Sequence, residues 1–166
     1  MFKNIYQSRN VLVTGHTGFK GSWLCSWLLD LGATVTGLSV DVPTEPSLFE
    51  ALSLADRVQH FESDVRDKNS LRQVIDRVCP EIVFHLAAQP LVRKSYEAPI
   101  LTFETNSLGT LNLLDCLRDQ SSVAAAVLVT SDKCYENVEW LWGYRENDRL
   151  GGKDPYSASK ACAEII

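Results

Sequence analysis

The 166-residue chain is short of the features that mark membrane, secreted and nucleic-acid-binding proteins. No apolar run approaches the ~18 residues that a membrane-spanning helix needs, and residues 1–14 lack the layout of a secretory signal. The net charge is −5 and there is no basic tract, which argues against nucleic acid as the main partner. We therefore expect a cytoplasmic protein that binds neither a membrane nor a nucleic acid.

Cysteine is too sparse and too scattered for a metal centre or a disulfide framework. The five cysteines are odd in number, and none of them forms a Cys-x-x-Cys pair. This pattern is typical of reduced thiols in a cytoplasmic protein, and it predicts no metal site. The cysteines are Cys25, Cys79, Cys116, Cys134 and Cys162.

Segments with strand and helix patterns alternate along the chain, which predicts a parallel sheet with right-handed crossovers. The runs 82–86 and 127–129 are apolar apart from His85, as expected of strands covered on both faces. The predicted strands are Val11–Thr14, Thr34–Ser39, Val58–Phe61, Ile82–Leu86 and Ala124–Thr130. The predicted helices are Lys20–Leu31, Leu48–Leu54, Ser70–Val78, Leu101–Asp119 and a last one from Tyr156 onward.

A glycine-rich turn joins the first predicted strand to the first helix. Gly15 would allow the tight turn, Gly18 would let the backbone approach a pyrophosphate, and Gly21 would let the helix pack on the strand. The phosphates would then meet the free N–H groups of the helix N-terminus. The Gly-x-x-Gly-x-x-Gly spacing departs from Gly-x-Gly-x-x-Gly, so a purely structural turn is the alternative. The context predicts a Rossmann-type, doubly wound α/β sheet that binds a dinucleotide at its switch point.

Two further stretches follow predicted strands at the edge where the nucleotide should bind. Asp64-Val65 follows the third strand, where the carboxylate could accept a hydrogen bond from an adenine amino group. An aspartate that caps the following turn is an equal alternative. Ala87-Ala88-Gln89 follows the fourth strand, where small residues would let a ribose lie against the backbone.

The end of the second strand bears on the choice between NAD and NADP. An acidic residue there would hold the adenosine ribose hydroxyls of NAD. The usual position of that acid is occupied by Ser39, and Asp41 is displaced from it, so we expect NAD, and NADP is the alternative. The dinucleotide-binding residues predicted from these stretches are Gly15, Thr17, Gly18, Phe19, Lys20, Gly21, Asp41, Asp64, Val65, Leu86, Ala87, Ala88 and Gln89.

Tyr156 and Lys160 lie four residues apart, on one face of the last predicted helix. A phenol that works as a base near neutral pH must ionise roughly three units below its usual pKa of about 10. A neighbouring ammonium favours the ionised phenol, and the positive nicotinamide ring of an oxidised cofactor would add to this effect. Tyr-x-x-x-Lys pairs also occur by chance on solvated helix faces, so the pair gains meaning from the glycine turn.

Together these stretches resemble the extended short-chain dehydrogenase/reductase family. Within it, residues 130–137, 140–146 and 150–160 are similar to the CDP-glucose branch of the sugar-nucleotide 4,6-dehydratases, and the resemblance runs from about Asn10 to the last residue. The residues that carry the family resemblance are Thr14 to Gly21, Asp64-Val65, His85 to Ala88, Asn106, Tyr156 and Lys160.

The resemblance implies a reaction with an internally recycled NAD. Tyr156 would take the proton of the sugar 4-hydroxyl while the cofactor receives the C4 hydride. Lys160 would lower the tyrosine's pKa and bind the nicotinamide ribose, with Asn106 supporting it through a water. Ser131 would hydrogen-bond the 4-oxygen, and Asp132 would be the acid for the departing 6-hydroxyl. Return of the hydride to C6 would give a 4-keto-6-deoxy sugar.

Most sugar-nucleotide dehydratases have a glutamate at the position of Lys133, where it is the base for the C5 proton. This chain resembles the CDP-glucose branch in having lysine there instead. A lysine with its ordinary pKa near 10.4 is protonated at pH 7. Two hypotheses follow for Lys133. It is either a base whose pKa is lowered by burial or neighbouring cations, or a cation that stabilises the enolate.

Several other side chains have both a functional and a structural interpretation. Trp140 and Trp142 could stack on a substrate ring, although packing of an ordered loop is favoured. Arg93 and Lys94 could meet a diphosphate, or could be solvated loop cations. His16 and His85 fit the turn and the end of the sheet better than they fit catalysis.

The resemblance also implies that residues 1–166 are the NAD(P)-binding Rossmann domain of a longer enzyme, cut before its substrate domain. We expect little turnover from this segment alone, and a homo-oligomer for the whole enzyme, packed through residues 101–119 and the last helix. A sugar-nucleotide epimerase or reductase of the same family is one alternative. A non-catalytic dinucleotide-binding module is the other.

Overall fold

Five parallel strands form one sheet in the structure, a computed structural model that describes residues 2–166. Their order is β3-β2-β1-β4-β5, so the direction of winding reverses beside β1, where such sheets bind their ligands. This confirms the predicted Rossmann-type parallel sheet. The strands are β1 (Asn10–Thr14), β2 (Thr34–Ser39), β3 (Gln59–Glu62), β4 (Ile82–His85) and β5 (Ala125–Leu128).

Seven α-helices are found among residues 2–166, most of them near their predicted positions. The predicted single helix over 101–119 is instead α5 and α6 joined by a π-helical turn, Glu104–Leu108. Helix α4 was not predicted, because six residues are too few to show a helical period. The helices are α1 (Phe19–Asp30), α2 (Leu48–Ala51), α3 (Lys68–Val78), α4 (Val92–Glu97), α5 (Pro99–Phe103), α6 (Gly109–Leu117) and α7 (Pro155–Ile165), with 3-10 turns at Phe2–Asn4, Leu54–Asp56 and Asp132–Cys134.

The chain divides into two compact units. The first contains the whole sheet and consists of the chain up to Ala87 together with Asn112–Val129. The second consists of Ala88–Leu111 and Thr130–Ile166. No helix among residues 2–166 has both the length and the apolar character to span a membrane.

The first unit has an apolar cluster on each face of its sheet, since successive side chains of a strand point to opposite faces. Leu12 belongs to one cluster, with Leu38 and Val83. Val11 and Val13 belong to the other cluster. All five side chains are fully buried, so the central strands are covered on both sides.

The fifth strand does not follow this pattern, and the prediction that residues 127–129 are covered on both faces was wrong. Val127 is 46% exposed and Val129 is 39% exposed. The physical reason is position, because β5 is an edge strand of the described sheet and pairs with β4 alone. An apolar run shows that a strand can be buried, but it does not show which strand lies at the edge.

Candidate active site

The glycine turn of the first unit has the conformation that its sequence predicts. Gly15 adopts a left-handed φ of +73°, which costs other residues energy. A Cβ atom here would lie 2.7 Å from the backbone nitrogen of Ala87, so glycine lets the turn lie against the chain that leaves β4. The Gly15 nitrogen donates to the Leu38 carbonyl at 2.7 Å.

The N-terminus of α1 opens directly from this turn. Gly18 is its N-cap, and none of the described side chains hydrogen-bonds the first N–H groups of the helix. Such N–H groups bind anions well. At Gly21 a Cβ atom would overlap the Gly15 carbonyl oxygen and lie 2.7 Å from the His16 Cα, so glycine allows close packing of α1 on the turn. Phe19 and Lys20, in the first turn of α1, are exposed.

A buried histidine braces the turn against the neighbouring strands, in agreement with the structural interpretation of His16. Its Nδ1 lies 2.9 Å from Ser39 Oγ, and its Nε2 lies 2.8 Å from His60 Nδ1. Burial, reinforced by the charge of His60, lowers the pKa of His16 to about 4, so the ring is neutral at pH 7. A Cβ atom on Gly37 would overlap this ring.

Thr17 connects the glycine turn to the end of β2. The Thr17 hydroxyl donates to the Asp41 carbonyl at 2.6 Å, while the Thr17 nitrogen donates to Ser39 Oγ at 3.4 Å. Asp41 is exposed. The glycine turn and the end of β2 are therefore held together, with a carboxylate in solvent beside them.

The carboxylate of Asp64 serves its own turn, which was the alternative interpretation. It accepts hydrogen bonds from the Arg66 backbone nitrogen at 2.9 Å and from Arg66 Nε at 2.9 Å. Burial raises the pKa of Asp64, but the hydrogen bonds and charge of Arg66 outweigh it, so the pKa lies below its ordinary value. Val65 is a core residue, and only its backbone is available to a ligand.

A residue missed by the sequence analysis orders the end of β4. Thr14 Oγ1 accepts a hydrogen bond from the Ala87 nitrogen at 3.2 Å and is hydrogen-bonded to His85 Nδ1 at 2.7 Å. Leu86 and Ala87, both predicted as cofactor-binding, are half-buried here. A threonine at the end of a β-strand is too ordinary to have indicated this role.

In the second unit, Tyr156 stands in the first turn of α7 because the start of that helix is strongly defined. Asp154 is the N-cap, and its carboxylate accepts from the Ser157 nitrogen at 2.9 Å and the Ser157 hydroxyl at 2.6 Å. Pro155 occupies the first helical position, where proline is favoured. Lys160 follows one turn later, as predicted, on the same face as Tyr156.

Lys160 is only 6% exposed. Burial lowers its pKa, and the charge of Glu164, one turn further along α7, opposes that change. A buried ammonium is costly unless its charge is used. Lys160 therefore has the setting of a functional lysine rather than that of a solvated helix face.

Asn106 lies in the π-helical turn and is 1% exposed. Its amide group accepts from the Gln89 nitrogen at 2.8 Å, and donates to the Gln89 carbonyl at 3.1 Å and to Ser159 Oγ at 2.9 Å. It thus joins the segment after β4 to the residue that precedes Lys160. The Gln89 side chain is engaged with Leu91 and Thr102, so both the backbone and the side chain of Gln89 have partners within this unit.

Ser131, Asp132 and Lys133 form the start of a 3-10 turn. Ser131 Oγ accepts from the Lys133 nitrogen and donates to Asp132 Oδ1, both at 3.2 Å. Asp132 and Lys133 are exposed and line a cavity of about 490 Å³ in this unit. An acid and an amine therefore share the wall of one cavity.

The loop that follows is ordered by stacked aromatic rings. Tyr135 and Tyr144 stack with centroids 5.3 Å apart, and Trp140 lies 6.0 Å from Tyr144 at a tilt of 34°. Trp140 thus helps to pack the loop, as the favoured interpretation holds. Trp142 is 70% exposed, and loop packing does not explain it.

These features define a class of protein. A parallel sheet wound in both directions from β1, a glycine turn that opens α1, and a Tyr156–Lys160 helix face are typical of nucleotide-binding short-chain dehydrogenases. The chain belongs to the GDP-mannose 4,6 dehydratase family, whose sequence model matches residues 12–166. This confirms the resemblance to extended short-chain dehydrogenases/reductases.

The chain is similar in sequence or structure to several known sugar-nucleotide enzymes. CDP-glucose 4,6-dehydratase of Salmonella typhimurium is 56% identical over 164 residues, which are 99% of this chain and 46% of that protein. CDP-paratose 2-epimerase of Salmonella typhi is 30% identical over 172 aligned positions, 93% of this chain and 50% of that protein. UDP-glucose 4-epimerase of Thermus thermophilus, in complex with NAD, has a TM-score of 0.81 at 34% identity, covering 94% of this chain and 49% of that protein. The chain spans about half the length of these relatives.

Proposed function

We propose that the protein containing this chain is a sugar-nucleotide 4,6-dehydratase that converts CDP-glucose to CDP-4-keto-6-deoxyglucose. The observation that carries the proposal is the 56% identity to a CDP-glucose 4,6-dehydratase across 99% of the chain. The 30% identity to an epimerase is much lower, so dehydration is favoured over epimerisation. We further propose a cytoplasmic homo-oligomer in which residues 1–166 are the N-terminal, cofactor-binding part.

The first unit fits a dinucleotide. The N-terminus of α1, which has no side-chain cap, suits a pyrophosphate, and at Gly18 there is no Cβ atom to keep phosphate oxygens from the backbone. We propose NAD rather than NADP, because the exposed carboxylate of Asp41 would repel a ribose 2′-phosphate. When bound, NAD⁺ would accept the C4 hydride of the sugar and return it to C6.

The second unit would supply the proton transfers. Tyr156 would remove the 4-hydroxyl proton, and the buried ammonium of Lys160 would stabilise the phenolate. The Ser131 hydroxyl would hydrogen-bond the developing 4-oxyanion, which requires it to turn from Asp132. Asp132 would then protonate the departing 6-hydroxyl.

Lys133 is exposed to solvent, which favours the hypothesis of a cation over that of a buried base. We propose that its ammonium stabilises the enolate formed when a solvent water molecule accepts the C5 proton, and that solvent returns a proton to C5 after the hydride reaches C6. A Lys133→Met variant of the full protein should still incorporate solvent deuterium at C5, at a lower rate. Complete loss of that exchange, with NAD binding retained, would instead make Lys133 the base.

The proposed activity is tested by incubating the full protein with CDP-glucose and identifying the product by NMR. A 4-keto-6-deoxy hexose is expected. A C4 epimer would assign the protein to the epimerases of the family. NAD binding without any turnover of CDP-glucose would favour the non-catalytic module.

A further inference from the structure

Glu164 lies in the last turn of α7 and contacts the segment that leads into the proposed catalytic turn. Its Oε1 accepts a hydrogen bond from the hydroxyl of Thr130, the residue before Ser131. Burial raises the pKa of the Cys134 thiol, at the end of the 3-10 turn, and the charge of Glu164 raises it further. The carboxylate that binds Thr130 therefore also acts on the other end of residues 130–134.

The same carboxylate acts on the helix that carries Lys160. Glu164 follows Lys160 by four residues, so the two side chains are neighbours on one helix face. Burial lowers the pKa of Lys160, and the negative charge of Glu164 raises it. Glu164 thereby favours the ammonium form in a setting that otherwise disfavours it.

Other charges stand on the elements packed against α7. Arg93, Lys94 and Glu97 lie on α4, Glu104 begins the π-helical turn, and Asp132 and Lys133 lie on the 3-10 turn. On α7 itself, the negative charge of Glu164 raises the pKa of Lys160.

We propose that Glu164 is a positioning residue that clamps residues 130–134 to α7 and places its carboxylate one helical turn from the amine of Lys160. The clamp would hold the Ser131-Asp132-Lys133 turn and the Tyr156–Lys160 pair in one fixed arrangement. Glu164 itself would touch neither the sugar nor the cofactor. The inference rests on the proposed function, since it assigns Glu164 to those catalytic residues.

The effect of the charge is tested by Glu164→Gln in the full protein. Glutamine keeps an oxygen that can accept from Thr130, but it removes the negative charge. The alkaline limb of the kcat/KM profile for CDP-glucose should then move to lower pH, because Lys160 loses its proton more readily without the neighbouring negative charge. Glu97→Gln, the same change on α4, should leave the limb in place. An unmoved limb in Glu164→Gln would overturn the electrostatic part of the proposal.

The tether is tested without turnover, by thermal unfolding of Thr130→Val, Glu164→Ala and the double variant. Each single change should lower the Tm by about 2–4 °C, and the double variant should lie within about 1 °C of the less stable single variant. Additive losses would overturn the tether. If the unaltered protein fails to turn over CDP-glucose, the proposed function is contradicted, and this cycle still decides the tether.

Discussion

Replacing Gly15 by alanine should damage the fold and the proposed cofactor site together. The left-handed φ of +73° costs an alanine roughly 1 kcal/mol. Its Cβ atom would also lie 2.7 Å, 2.8 Å and 2.9 Å from backbone atoms of Leu86 and Ala87. Such overpacking against backbone costs roughly 2 kcal/mol more. We expect a loss of about 3 kcal/mol in the free energy of unfolding, or a Tm lower by roughly 6–12 °C.

The measurement is urea unfolding of Gly15→Ala beside Gly143→Ala. Gly143 is a matched control, because a Cβ atom there would have no neighbour within 4 Å and its φ lies outside the left-handed region. The control should change stability by no more than about 0.5 kcal/mol. The affinity for NAD should fall at least about tenfold in Gly15→Ala and stay unchanged in Gly143→Ala, since only in Gly15→Ala must the turn move away from β4. Equal stabilities for the two variants would refute the role given to Gly15.

Two further predictions concern buried polar groups. The lowered pKa of His16, about 4 in the folded protein against about 6.5 in the unfolded chain, makes its contribution complete above pH 6.5 and lost as the pH falls toward 4. Urea unfolding should therefore show a free energy of unfolding that is about 2 kcal/mol lower at pH 5 than at pH 7.5. This difference should be smaller in His16→Gln. An equal difference in the variant would contradict the assignment of the pH dependence to His16. Asn106→Ala should cost roughly 3 kcal/mol, because the Gln89 backbone and the Ser159 hydroxyl lose their buried partners. Asn112→Ala, which removes more exposed contacts with the Val65 and Arg66 carbonyls, should cost about 1 kcal/mol, and equal losses would count against the buried network.

The parts of the fold that depend on local patterns could be predicted from the sequence. The central strands show as apolar runs, and Gly15 and Gly21 mark a turn that few other residues could form. The exposure of Val127 could not be predicted, because whether a strand lies at a sheet edge depends on its neighbours in space. The π-helical turn around Asn106 leaves no pattern of its own, since it follows from packing against α7.

The residues of the candidate site could likewise be predicted only where a local pattern marks them. Tyr156 and Lys160 could be paired because helical spacing alone puts them on one face. The brace formed by His16 with Ser39 and His60 joins residues that are far apart in sequence, so no local motif announces it. The contact of Thr130 with Glu164 is equally long-range, and it needed coordinates to be seen.

The proposed internal hydride transfer is tested most directly with CDP-glucose that carries deuterium at C4. The full protein, in ordinary water and with NAD bound, should yield a 4-keto-6-deoxy product with that deuterium at C6. Deuterium that is absent from C6, or a product that keeps its 6-hydroxyl, would contradict the proposed dehydration and its recycled cofactor.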